Sequence, residues 1–187
     1  MPDKMEIAAS GRARCRGCGA KIDKETVRFG EVLPRPSADD DATAVFWFHP
    51  RCAAHRRPEK FAQLLRAGEL TVALPDRESL LAEADEGITH PRLARIAGAE
   101  RASSGRAKCR HCKEPIALGL WRIRLGSFAE SGFPEPLGFL HTRCCTAYFG
   151  VAAPAARVRQ ASPDLPRDQL EEIDATLAAD AAAPAPV

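Results

Sequence analysis

One pattern constrains this chain more than any other, because it occurs twice. Cys15-x2-Cys18 is followed, after 30 residues, by His49-x2-Cys52, and Cys109-x2-Cys112 is followed, after 28 residues, by His141-x2-Cys144. A Cys-x2-Cys knuckle aims two thiolates at one point, and a second pair from a distant segment completes a tetrahedron around a metal ion. Each quartet would be Cys3His, closed to water, and therefore structural rather than catalytic. The expected cofactors are two structural Zn2+ ions. Composition says why the chain needs them. Of its 187 residues 45% are hydrophobic, but 34 are alanine and only 11 are aromatic. Shared between two small modules this is a thin core, and small domains bury the least surface. A structural zinc site supplies on the order of 10–16 kcal/mol of apparent folding energy.

The duplication runs beyond the cysteines. Ser10-Gly11-Arg12-Ala13-Arg14-Cys15 recurs as Ser104-Gly105-Arg106-Ala107-Lys108-Cys109, an offset of 94, and Ile22 and Arg28 recur as Ile116 and Arg122. Phe46-Trp47-Phe48 before His49 corresponds to Gly138-Phe139-Leu140 before His141 at an offset of 92. The repeat predicts modules at 1–100 and 101–187, with residues 99–104 as a linker and a frayed Ala-Pro tail from Ala181 to Val187. The net charge of +2 conceals a division: residues 10–60 carry +4 and 101–150 carry +5, while 61–100 and 151–187 each carry −3. Two basic cores alternate with two acidic extensions.

Strands are expected at Thr26–Leu33, Val45–Phe48, Leu120–Leu125 and Leu137–Leu140. Alternation puts Val27 and Phe29 opposite Arg28, and Trp121, Ile123 and Leu125 opposite Arg122 and Arg124, with the arginines outward. Helices are expected at Pro58–Ala67, Arg77–Glu86 (stopped by Gly87), Pro91–Gly98 and Arg167–Ala179. The predicted class is α+β: two tandem zinc-stabilised modules, each a small antiparallel sheet around a Cys3His site with C-terminal helices.

These residues resemble the poly(ADP-ribose) polymerase-type zinc finger, also found in DNA ligase III. The resemblance rests on the Ser-Gly-Arg-Ala entry to the first cysteine, the quartet spacing, the aromatic approach to the histidine, and an arginine ten residues past the second cysteine. It implies recognition of DNA strand breaks by shape, with a repair enzyme as a further partner. On that reading Arg12, Arg28, Arg106, Arg122, Lys108 and Arg124 track phosphates, which positions a protein without reading sequence. Phe133 and Leu137, in the loop before His141, would stack on the exposed base pair. The first loop, residues 34–43, offers three aspartates (Asp39 to Asp41) in place of such a cap, so the second module is expected to dominate. Trp47, Phe139 and Trp121 are expected in the core, Cys145 as a small buried residue, and His55, His90 and His111 as non-ligands. A protein-interaction adaptor is the competing function, and the closed sites argue against an enzyme. The N-terminus lacks the pattern of a secretory signal and no run suits a membrane span. The expected location is intracellular: a bacterial cytoplasm or nucleoid from the GC-rich-looking composition, or a nucleus in a eukaryote.

Overall fold

The computed structural model describes residues 2–34, 43–68, 70–128, 135–152 and 154–183. Two compact units divide between Thr89 and His90. In the first, β1 (Lys4–Ile7), β2 (Val27–Pro34) and β3 (Thr43–Phe48) form an antiparallel sheet in that order. Helices α1 (Pro50–Arg56), α2 (Pro58–Arg66) and α3 (Arg77–Thr89) follow. In the second, β4 (Ile96–Arg101), β5 (Trp121–Ser127) and β6 (Glu135–His141) repeat the sheet. They are followed by α4 (Cys145–Phe149), α5 (Ala155–Gln160) and α6 (Arg167–Ala182). No helix among the described residues is long and apolar enough to cross a membrane.

The first half of the expected linker belongs to a strand. Glu100 and Arg101 pair with Arg122 and Trp121, so β4 is the edge of the second sheet as β1 is of the first. Ile96 and Ala99 are buried, which fixes the register, but Gly98 (φ +122°) breaks the alternation with a bulge. That bulge hides the two-residue period, and the expected helix over Pro91–Gly98 shrinks to a 3-10 turn at Pro91–Arg95. The repeat shows the missing strand once extended: Glu6, Ala8 and Ser10 match Glu100, Ala102 and Ser104 at the offset of 94. Gly87 does not stop α3; it is buried inside the helix, which runs on to Thr89.

Each core lies between sheet and helices. Phe29 on β2 meets Phe48 and, edge-on, Phe61 of α2, with ring centroids 6.1 and 5.5 Å apart. Pro58 opens α2, where a missing N–H costs nothing, and Phe61, Ala62 and Leu65 form its buried face. The second core gathers Ile116, Ile123, Leu125, Leu140 and Phe149 with Ile173 and Leu177 of α6, whose four-residue spacing gives one apolar stripe. Two corners that correspond between the modules, at the offset of 94, take left-handed backbone in both. Gly19 (φ +77°) and Glu25 (φ +66°) occupy them in the first, Lys113 (φ +67°) and Gly119 (φ +79°) in the second. Each copy has kept glycine at one corner and accepted a strained side chain at the other.

Candidate metal centres

The backbone builds both quartets in the same way. Each knuckle is closed by the N–H of the first left-handed corner, Gly19 to the Cys15 carbonyl at 2.8 Å and Lys113 to the Cys109 carbonyl at 3.0 Å. The histidine stands at the end of the third strand, and the last cysteine lies in the turn of helix behind it. The ligand atoms of Cys15, Cys18, His49 and Cys52 all lie within 4.8 Å of one another, as do those of Cys109, Cys112, His141 and Cys144. His49 Nδ1 is 3.5 Å from Cys18 Sγ and 3.9 Å from Cys52 Sγ; His141 Nδ1 is 3.3 Å from Cys112 Sγ and 4.0 Å from Cys144 Sγ. A tetrahedral zinc ion with ordinary bond lengths separates nitrogen from sulfur by about 3.6 Å, so the donor sets fit Zn2+.

The surroundings prepare the ligands. His49 Nε2 faces the Lys21 carbonyl at 3.2 Å and His141 Nε2 the Pro115 carbonyl at 3.1 Å. An Nε2–H donating to these oxygens leaves Nδ1 as the bare donor toward the metal. Backbone N–H groups of Gly17 and His49 donate to Cys15 Sγ, and that of His141 to Cys109 Sγ. Without a cation the thiols compete for protons. Hydrogen bonds from Cys18 and Cys52 pull Cys15 down to about 3, while the same crowding by Cys15 and Cys18 pushes Cys52 up. Burial, then the nearby Cys109 thiolate, pushes Cys144 up to about 12. Like charges at this spacing cannot all ionise unaided, and a divalent cation resolves the conflict.

Cys145, 2% exposed, occupies the place of fully buried Ala53 and donates to the His141 carbonyl at 3.6 Å. Burial holds its thiol in the neutral form. His55 is buried against Glu83 at 2.7 Å, and His111 is exposed.

The arginines divide into two kinds. Arg12, Arg106, Lys108 and Arg124 are exposed, as expected. Arg28 and Arg122 are not. The Arg28 side chain is 11% exposed and that of Arg122 6%. Arg28 donates to Glu6 Oε1 through Nε (3.1 Å) and Nη2 (2.5 Å), and its guanidinium lies 3.6 Å from the Trp47 ring centroid. Arg122 repeats this with Glu100 and Phe139, also at 3.6 Å. The outward-facing strand position therefore holds a clamped sandwich of carboxylate, guanidinium and ring. Alternation puts these arginines on the outer face, but not that β1 and β4 bring carboxylates to cover them. Trp47 and Phe139, expected inside, are the half-buried floors of the sandwiches, whereas Trp121 is a core residue at 5% exposure. Leu137 is half-buried and packs against the second core. Phe133 and Asp39 to Asp41 lie outside the described residues.

Two small α+β modules, each built around a Cys3His donor set, define a tandem zinc-finger protein. Residues 6–90, the first module, match the poly(ADP-ribose) polymerase and DNA-ligase zinc-finger region. It is 30% identical over 136 residues to the Drosophila melanogaster poly [ADP-ribose] polymerase, covering 66% of this chain and 14% of that protein. It is 27% identical over 133 residues to the Gallus gallus poly [ADP-ribose] polymerase 1, covering 65% and 13%. The Oryza sativa subsp. japonica poly [ADP-ribose] polymerase 1 is 28% identical over 166 residues, covering 85% and 15%. The chain thus spans about a seventh of the length of these relatives.

Proposed function

We propose that this chain is a zinc-dependent DNA-binding protein that recognises strand breaks and marks them for a repair enzyme. The observation that carries the reading is the duplicated, exposed cation carried three residues ahead of the first zinc ligand: Arg12 before Cys15 and Arg106 before Cys109. Zinc fixes the backbone there, so the charge is presented at low entropic cost. Arg14, Arg16, Lys108 and Arg110 extend each exposed basic segment. Such a row neutralises phosphates and gives salt-dependent, sequence-independent binding. Arg28 and Arg122 stiffen the sheet beside these segments and keep one guanidinium edge free of their glutamates. Phe133 and Leu137 are the proposed stacking residues of the second module, each base stacked being worth about 1–3 kcal/mol. Closed zinc sites give a binding role rather than catalysis. The compartment follows from the ligand: wherever the cell keeps DNA, nucleoid or nucleus.

The test is a titration of the zinc-loaded chain against a nicked dumbbell and a closed dumbbell, at two salt concentrations, with and without a chelator. Tighter binding to the nick, lost with chelator and weakened by salt, is expected. Equal affinity for the closed dumbbell would defeat break recognition, and no affinity for either would favour a protein-interaction adaptor.

A further inference from the structure

The two copies hold one turn in the same way and decorate it differently. In the first, the Ala8 N–H donates to the Thr26 carbonyl (2.8 Å) and the Glu25 N–H to the Ala8 carbonyl (2.9 Å). In the second, the Ala102 N–H donates to the Leu120 carbonyl (2.8 Å) and the Gly119 N–H to the Ala102 carbonyl (2.9 Å). The Arg101 guanidinium adds a bond to the Gly119 carbonyl at 2.8 Å. Each turn lies against its Ser-Gly-Arg-Ala segment: a methyl placed on Gly11 would stand 3.6 Å from the Lys24 nitrogen, and one on Gly105 3.9 Å from that of Leu118. On this shared frame the first turn carries Lys24, Glu25 and Thr26, with an exposed Lys24–Glu25 ion pair. The second carries Leu118, Gly119 and Leu120, and the leucines are 70% and 52% exposed. Among the described residues no other large apolar side chain exceeds 44%.

Two leucines held in water on a braced turn call for a binding partner. Their neighbours say which kind. The turn abuts the segment bearing Arg106 and Lys108, both exposed and without a carboxylate partner among the described residues. Charged residues are depleted at the cores of protein–protein interfaces. Protein–DNA interfaces are strongly cationic, and leucines serve there as apolar wedges against sugars and loosened base steps. We infer that Leu118 and Leu120 form an apolar step on the DNA-facing surface of the second module, contacting deoxyribose and base edge beside the break while Arg106 holds the adjacent phosphate. This rests on the proposed DNA-break reading and adds a contact made by the turn after Ile116, separate from the loop before His141. The first module has no such step and meets DNA at this turn through Lys24.

The test uses the full zinc-loaded chain, Leu118→Ala/Leu120→Ala, and Leu118→Lys/Leu120→Thr, which installs the first module's residues. Zinc content by metal analysis, two ions per chain, verifies that each variant is folded. The alanine pair is expected to weaken nicked-dumbbell binding about fivefold or more while leaving the closed dumbbell within about twofold. The Lys/Thr pair is expected to lose the same preference while steepening the salt dependence by about one ion. A nick preference that survives Leu118→Ala/Leu120→Ala overturns the inference alone, as does an equal loss on both DNAs. Loss of self-association in sedimentation with unchanged DNA affinity also overturns it. A wild-type chain that cannot tell the nick from the closed dumbbell overturns the break reading and this inference with it.

Discussion

The two modules are the same frame filled by different chemistry. Both have three antiparallel strands, a Cys3His quartet and a carboxylate–guanidinium–ring sandwich on the outer face. Behind the sheet they part. Glu31 of the first module is fully buried and bonded to Arg57 at 2.7 Å and Lys60 at 2.9 Å. The corresponding positions of the second, Leu125 and Phe149, are both buried apolar residues in one core. The metal and backbone set the architecture, and the interior can satisfy it with an ion cluster or with hydrocarbon.

Removing zinc should erase the comparison altogether. Cys18→Ser or Cys112→Ser is expected to unfold its own module and leave one zinc per chain, at a cost on the order of 10 kcal/mol. Metal analysis together with the loss of half the dispersed amide resonances checks it. The next effect separates the interiors. Glu31→Ala removes the buried carboxylate that Arg57 and Lys60 share and should cost about 3–5 kcal/mol in urea unfolding. The double exchange Glu31→Leu/Arg57→Phe, which imports the second module's solution, should be neutral or stabilising by about 1–4 kcal/mol. A double exchange as damaging as the single one would show that the two cores are not alternatives.

On DNA, Arg106→Ala should weaken nicked-duplex binding about tenfold and lower the salt slope by about one. Arg12→Ala should cost less, because the second module is the stronger binder; equal losses in an anisotropy titration would sink that ranking. Glu6 supplies a pH signature in the first module. Burial pushes its carboxyl up, but Lys4 and Arg28 outweigh this and hold it below the usual carboxylate range. With the folded value depressed, its contribution is complete above the unfolded carboxylate range and is lost as pH falls through the folded value. Glu6→Gln should therefore lower stability at neutral pH and flatten the decline of thermal midpoint toward acid. The smallest effect concerns the left-handed corners. Glu25→Gly and Lys113→Gly should each raise stability by about 0.5–1 kcal/mol, since relief of a strained φ exceeds glycine's entropic cost. An unchanged or lower melting temperature would show that the corners carry no strain.

Both quartets were legible from spacing because metal ligation demands fixed residue types at fixed places, and the repeat removed coincidence. Seven of the eight expected helices and strands start within two residues of where periodicity puts them. The expected Pro91 helix is a 3-10 turn followed by a strand, because a bulge at Gly98 masks strand alternation. The Thr43 and Glu135 strand starts fall early for a similar reason: they border loops that carry no apolar period. The arginine sandwiches were the larger miss. Strand periodicity reports which face a side chain leaves from, not what a third strand lays over it. Glu6 and Glu100 nonetheless correspond at the offset of 94, upstream of Ser10 and Ser104. The first strand of each module is short and contributes few large apolar residues, so hydrophobic pattern alone cannot find it.

The Glu31 cluster also bears on how two copies of one module can drift apart. If both began alike, neither single exchange was harmless. A lone Glu31→Leu takes from half-buried Arg57 the carboxylate it bonds, and a lone Arg57→Phe takes one of two cations from the buried carboxylate. The replacements are conditional on each other, so only a narrow order of substitutions joins the two interiors. A chain whose fold is secured by metal can cross such a gap, because an intermediate several kcal/mol weaker still closes around its zinc.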